Sequence, residues 1–185
     1  AVSARLSRPT GVATDGAGNA YLLESGSVRK LTPAGRVSTL AGGARLHGHA
    51  DGQGSAATFS VPGAIASTAS GVLFVADTGS HAIRRIDSAG LVSTLAGTPG
   101  VWGWADGIPG VAAFRSPAGI AVSGTGDVYV SDTGNHTIRK VTPAGVVTTV
   151  AGLAGTSGWA DGEGSAARFQ SPAGLAVYGT GNVFV

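Results

Sequence analysis

One phrase recurs along this chain at a nearly fixed interval. Ser116-Pro117-Ala118-Gly119-Ile120-Ala121-Val122 returns as Ser171-Pro172-Ala173-Gly174-Leu175-Ala176-Val177, and looser copies begin at Arg8-Pro9-Thr10-Gly11 and Val61-Pro62-Gly63-Ala64. The anchoring prolines stand at 9, 62, 117 and 172, so the intervals are 53, 55 and 55 residues. A period of this size marks a repeat architecture, in which each unit buries its apolar surface only against its neighbours. The sequence divides into repeats at approximately 6–58, 59–113 and 114–168 and an incomplete 169–185, all within one domain.

Each repeat reads as four short strands, here called a to d. In the third copy Gly119–Val122 is an apolar run ended by the turn signal Ser123-Gly124-Thr125-Gly126. Asp127–Ser131 and His136–Val141 are β-branched or aromatic runs separated by Asp132-Thr133-Gly134-Asn135. Thr142-Pro143-Ala144-Gly145 turns the chain into a last strand, Val146–Ala151, with proline fixing φ and glycine free to take φ above zero. The same pattern predicts strands at Gly11–Thr14, Ala20–Leu23, Val28–Leu31 and Val37–Ala41 in the first copy, where the b–c turn is two residues short. The second copy gives Ala64–Ala66, Val72–Ala76, Ala82–Ile86 and Val92–Ala96, and the fourth gives only Gly174–Val177 and Val183–Val185. Strands such as Val128-Tyr129-Val130 are apolar on both faces, which suits sheets packed against a neighbour on either side. The expected fold is all-β: a β-propeller of four-stranded antiparallel blades, three complete and the first half of a fourth.

Residue 1 falls inside an inter-blade connection, and the sequence stops after a strand b. Three and a half blades cannot close a ring, so the expectation is an open fragment of a longer chain. With 43% hydrophobic and 12% charged residues the sequence is too apolar for a disordered segment. No apolar run is long enough to span a bilayer, so no membrane insertion is expected. The absence of cysteine removes disulfides, thiolate metal sites and a cysteine nucleophile. A formal net charge of +2 does not make a nucleic-acid surface.

The stretch Tyr129-Val130-Ser131-Asp132-Thr133-Gly134-Asn135-His136-Thr137-Ile138-Arg139-Lys140-Val141-Thr142-Pro143-Ala144-Gly145 resembles the core of an NHL repeat. Asn135-His136 matches the name-giving Asn-His-Leu run and Thr137 replaces its leucine; the second copy has Ser80-His81-Ala82 and the first has neither Asn nor His. The surrounding Gly-Trp-Ala-Asp-Gly, Ala-Arg-Phe, Pro-Ala-Gly and Thr-Val-Ala-Gly elements recur in register over nearly the whole chain. The resemblance implies a six-bladed complete ring. It also implies one of several roles: a protein-binding platform, an RNA-binding domain, or a lyase or hydrolase with its site at the propeller axis.

Antiparallel strands place the b–c turns and the long d–a connections on one face of the disc. Long loops of specific composition are where function concentrates. That face is expected to present Trp102, Trp104, Trp159 and His49 from the connections, and Asp77, His81, Asp132 and His136 from the b–c turns. Trp104 and Trp159 also suit inter-blade packing. Asp51, Asp106 and Asp161, each followed by glycine, read as holding their own turns. The carboxylates Glu24, Asp77 and Asp132 beside strand-c Arg29, Arg84 and Arg139 read as ion pairs bracing the b–c corner. Asp161-Gly162-Glu163-Gly164 lacks the alternating carboxylates of a calcium loop. His81 and His136 are too few for a metal set, and no nucleophile elbow or His-Glu-x-x-His appears. The basic pairs Arg29-Lys30, Arg84-Arg85 and Arg139-Lys140 alternate across the strand, so only half of each could feed an RNA-binding stripe.

Asn135-His136-Thr137 also satisfies the glycosylation pattern in a turn expected to be exposed, which would matter in a secreted or surface-exposed protein. The reading from sequence is a non-catalytic interaction scaffold with no cofactor or metal. Its partner would be a protein, neighbouring subunits in an assembly, or a glycan rather than nucleic acid.

Overall fold

The computed structural model describes residues 5–43, 47–179 and 181–185, so residues 44–46 of the first long connection and Thr180 lie outside the description. Blade 1 contains β1 (Gly11–Thr14), β2 (Ala20–Glu24), β3 (Ser27–Leu31) and β4 (Val37–Gly42), antiparallel in that order. A short β5 (Gly52–Gln53) precedes blade 2, which is β6 (Ala64–Ser67), β7 (Leu73–Asp77), β8 (Ala82–Ile86) and β9 (Leu91–Ala96). Blade 3 is β10 (Pro117–Val122), β11 (Val128–Asp132), β12 (Thr137–Val141) and β13 (Val147–Ala151). A hairpin of β14 (Ala176–Tyr178) and β15 (Asn182–Phe184) follows. The all-β, four-strand blades are those expected. β14 begins two residues later than the predicted Gly174, in a strand with a single hydrogen-bonded neighbour. No helix among the described residues is long and apolar enough to cross a membrane.

Strand alternation explains why the blades stack. All five residues of β7 are buried, but on opposite sides. Leu73 and Val75 pack with Tyr21, Leu23, Val28 and Ala41 of blade 1. Phe74 and Ala76 pack with Ile120, Val128, Val130 and Val147 of blade 3. A sheet with period-two side chains and two apolar faces has no solvated side, so each blade needs a neighbour on both. The inner strands β1, β6, β10 and β14 adjoin in succession. They come so close that a Cβ on Gly119 would overlap the Ala173 carbonyl. Ser131 Oγ, which accepts from the Gly119 N–H, donates to that same carbonyl at 2.5 Å.

The connections are not loose loops. β5 pairs antiparallel with β9, adding a fifth strand to the outer edge of blade 2, and a single bridge from Gly107 to Val147 does the same for blade 3. The sequence reading left these segments as loops, because two-residue strands carry no periodicity. The connections into blades 2 and 3 are each pinned by the strand-c arginine of the blade that follows. Buried Arg84 donates through Nη1 to Asp77 Oδ2 (3.0 Å) and the Thr58 carbonyl (3.1 Å), and through Nη2 to Asp51 Oδ1 (2.6 Å) and the Ala50 carbonyl (2.9 Å). Arg139 repeats this with Asp132 (2.8 Å), Ala113 (3.1 Å), Asp106 (2.7 Å) and Ala105 (2.9 Å). The guanidinium carbons lie 5.4 and 5.2 Å from the rings of Phe59 and Phe114. The b–c ion pairs are therefore present, but Asp51 and Asp106 do not hold their own turns. They reach the arginine and also accept from the N–H groups of Thr94 and Thr149, both at 3.0 Å.

Removing one partner of a buried charge network leaves the others desolvated and unpaired. Arg139→Ala is expected to lower stability by about 3–5 kcal/mol. Asp106→Asn, at the half-exposed end of the same network, should cost about 1–2 kcal/mol. Chemical denaturation that ranks the two in the reverse order would contradict the clasp as the anchor of the connection.

Candidate interaction face

The beginning of each described connection meets the b–c turns, so both lie on one face as expected. The Gly100 N–H donates to Ser80 O (2.9 Å), the Gly155 N–H to Asn135 O (3.2 Å), and Asn135 Nδ2 to Gly103 O (2.7 Å). On this frame Trp102, Trp104 and Trp159 stand 56%, 62% and 84% exposed, and His49 is exposed at the position equivalent to Trp104. Trp104 is therefore not packed between blades: the clasp and Phe114 fill the space beneath its connection, so the indole is left outside. Trp159 stands on the connection that leads to the two-stranded β14–β15 hairpin, where no such clasp is present among the described residues. The Arg115 guanidinium lies 5.0 Å from the Trp102 ring.

The four b–c residues do not belong to this surface. Asp77 and Asp132 are fully buried. Besides the arginines, they accept from the Ser60 and Arg115 N–H groups, each at 2.7 Å. Burial pushes both carboxyls above the ordinary carboxylate range, against the pull of these donors and of the guanidinium. Burial also works against Asp106, but the Thr149 N–H and Arg139 outweigh it and hold that carboxyl below the ordinary range.

His81 and His136 are half-buried, with left-handed backbone at φ 57° and 60°. Their Nδ1 atoms accept from the Ser116 and Ser171 N–H groups of the next blade, each at 3.1 Å. These histidines are seam residues rather than face residues. Among the described residues no three His, Asp or Glu side chains converge as metal ligands.

Two further expectations change. Asn135 is only 2% exposed, and Nδ2 donates to Gly103 O and to Asp132 Oδ2, both at 2.7 Å. The sequon asparagine is thus part of the core of the corner, not an exposed acceptor. The basic pairs also divide between two environments. Arg84 and Arg139 are buried in the clasps, Lys30 lies 5.7 Å from the Tyr21 ring, and Lys140 pairs with Asp127 at 2.8 Å.

The structure adds residues that the sequence reading did not single out. Val101, Ile108 and Val111 are 54%, 61% and 58% exposed, on the same connection as Trp102 and Trp104. The equivalent residues are Leu46, Gln53 and Ala56 in the first connection and Thr156, Glu163 and Ala166 in the third. Aligning the three connections column by column shows that only the middle one is apolar at every outward position. The signal in the sequence is a departure of one repeat from the other two, not a residue that the repeats share.

The NHL repeat family model matches residues 114–141. NHL repeat-containing protein 2 of Homo sapiens is 42% identical over 101 residues, which cover 54% of this chain and 13% of that protein. A structural genomics protein of unknown function from Bacteroides thetaiotaomicron superposes with TM-score 0.79 at 20% identity, over 96% of this chain and 44% of that one. An auxiliary nutrient binding protein from the same organism gives TM-score 0.68 at 25% identity, over 90% and 42% of the two chains. The chain spans 11–13% of the length of the curated relatives it matches.

A glycan on Asn135 would cost both of its buried hydrogen bonds. Expression of the full-length protein in a glycosylating host should give folded material unmodified at this asparagine by mass spectrometry. Asn135→Ala should lower stability by about 1–3 kcal/mol, because it strands buried acceptors.

Proposed function

Taking as premise that the chain is built of NHL-type β-propeller repeats, we propose that it is a non-catalytic interaction platform. Its partner, a protein, docks on the loop-rich face, with the connection between blades 2 and 3 as the anchor. The observation that carries this reading is the exposure of Val101, Trp102, Trp104, Ile108 and Val111 on one ordered segment. Soluble surfaces carry isolated apolar residues without consequence, but a cluster of large ones around two tryptophans is the composition of a binding hot spot. The clasp beneath supports the same conclusion. Asp106 and the Ala105 and Ala113 carbonyls hold the connection in place before any partner arrives, which lowers the ordering cost of association.

A glycan on the neighbouring connection is a second reading, and it has its own observation. Trp159 is 84% exposed, with Ser157, Asp161 and Glu163 close by in sequence, so an open indole face stands near polar groups suited to sugar hydroxyls.

Photo-cross-linking groups placed at 102 and 104 in the full-length protein should capture a defined partner, and groups placed in the a–b turn at Thr125 on the opposite face should not. Trp104→Ala should weaken that association roughly thirtyfold, the effect of losing about 2 kcal/mol at a hot spot, with the fold intact by circular dichroism. Capture from the opposite face, or unchanged affinity in the Trp102→Ala/Trp104→Ala double variant, would refute the assignment.

A further inference from the structure

The seams between blades are not alike. Blades 2 and 3 finish their b–c corners with the four-residue turns Thr78–His81 and Thr133–His136, which reach across to the next blade. The Thr78 hydroxyl donates to Pro117 O (2.7 Å) and the Thr133 hydroxyl to Pro172 O (2.6 Å), while the two histidines receive the Ser116 and Ser171 N–H groups. Each turn is thus a two-point staple, with one donor and one acceptor on adjacent residues of the next blade. Blade 1 has no such turn. Its β2 and β3 are joined by Ser25-Gly26 alone, with Glu24 paired directly to Ser27.

The groups that a staple would meet at that seam are Val61 N–H and Pro62 C=O. Neither has a hydrogen-bond partner among the described residues. Val61 nonetheless keeps the left-handed backbone of its counterparts, φ 50° against 50° at Ser116 and 51° at Ser171. A β-branched residue in that region is a strained one. At the other two seams the histidine bond helps to hold the conformation, and here nothing does. A cavity of about 230 Å³ occupies the place of the missing turn, and Arg8, Ser25, Gly26, His47, Val61 and Pro62 are among the residues that line it. Glu24 also borders the cavity, but its carboxylate is already engaged by Arg29 (3.0 Å) and by the Ser7 N–H (2.9 Å). Among the described residues, the charged group on the wall with no hydrogen-bond or ion-pair partner is therefore the Arg8 guanidinium.

We propose that the seam between blades 1 and 2 is a binding notch for an α-amido carboxylate, the group carried by an N-acyl amino acid or by the C-terminal residue of a peptide. The ligand supplies both halves of the missing staple. Its carboxylate accepts from the Val61 N–H beside Arg8, in the role of histidine Nδ1. Its amide N–H donates to Pro62 C=O, in the role of the threonine hydroxyl. Acceptor and donor must sit close together on one ligand, because the two protein groups belong to consecutive residues. Chloride and sulfate lack the donor and simple alcohols lack the charge. The notch is separate from the tryptophan-bearing connection and does not depend on the role proposed for it.

The test is an amide-resolved NMR titration of the full-length protein with N-acetylalanine, with N-acetylalanine amide, and with the tripeptide Gly-Gly-Ala bearing a free carboxylate. N-acetylalanine should produce saturable shifts at the Val61 and Gly63 amides, and the uncharged amide should bind roughly tenfold more weakly. Arg8→Ala should weaken the acid by a similar factor and leave the amide unaffected. Replacing Ser25-Gly26 with the blade 3 turn Thr-Gly-Asn-His should fill the notch and abolish the shifts. If that graft does not fold, the acid–amide comparison and Arg8→Ala still decide the matter. Equal binding of acid and peptide identifies the free small molecule as sufficient, and binding of the peptide alone identifies a chain terminus. No saturable shift with either carboxylate, or equal affinity for acid and amide, overturns the proposal.

Discussion

Beneath each of the two connections that lead into a complete blade lies a guanidinium that water cannot reach. Arg84 and Arg139 must replace their hydration with protein oxygens, and a single strand cannot provide enough of them. Strand b supplies one carboxylate; the rest come from the connection, as a second carboxylate and two carbonyls. A 17-residue segment that would otherwise be a long free loop is thereby fixed at its middle and near its C-terminal end against strand c. The buried charge is not obviously the most stabilising choice, since an apolar replacement of similar shape is often as good. What it adds is position: the connection has one place where all four acceptors can be satisfied. Everything proposed for the loop-rich face depends on that placement, because exposed aromatic residues make an effective surface only when their backbone is already ordered.

The second constraint is the two-sided sheet. Residues that alternate along β7 belong to two different cores, one shared with blade 1 and one with blade 3. No blade can be described by itself, and the seams become the natural units of comparison. Two of the three carry the threonine–histidine staple, and the first replaces it with a short turn and a cavity. Since the cores continue on both sides of that cavity, the omission is local. The blades stay sealed through Tyr21, Leu23, Phe59 and Ile65 deeper in the stack.

Strand positions and the b–c ion pairs were legible in the sequence because each follows from local rules: period-two alternation, glycine and proline punctuation, and opposite charges on adjacent strands. The roles of single polar residues were not. Asp77, Asp132 and Asn135 look like turn residues and are core residues, because the segments that meet them arrive from 17 positions away for the two aspartates and 32 for the asparagine. Asp51 and Asp106 look like caps of their own turns, yet their partners lie 33 and 43 residues on. His81 and His136 invited a metal or surface reading, and they are occupied by backbone N–H groups of the following blade. In each instance the missing information was a long-range neighbour that composition and spacing do not encode.

Repetition itself separates structure from function in this molecule. Columns that are identical in all three connections are Gly48/Gly103/Gly158, Ala50/Ala105/Ala160, Asp51/Asp106/Asp161, Gly52/Gly107/Gly162, Ala57/Ala112/Ala167 and Phe59/Phe114/Phe169. Where the structure describes a complete blade beneath them, these columns place the clasp, its carbonyls and the ring beside it. They must agree because every blade solves the same packing problem. A residue that serves only its blade has no reason to differ from its counterparts, so the columns that disagree are free of that duty. Two departures stand out: the middle connection, apolar at Val101, Trp102, Trp104, Ile108 and Val111, and the first b–c corner, which is two residues short. Both fall on the same face, and both leave unmatched groups at the surface, apolar side chains in one place and a backbone donor and acceptor in the other. A chain selected only to stack blades would have no use for either, and this places the chemistry of recognition in the breaks of the repeat rather than in the repeat.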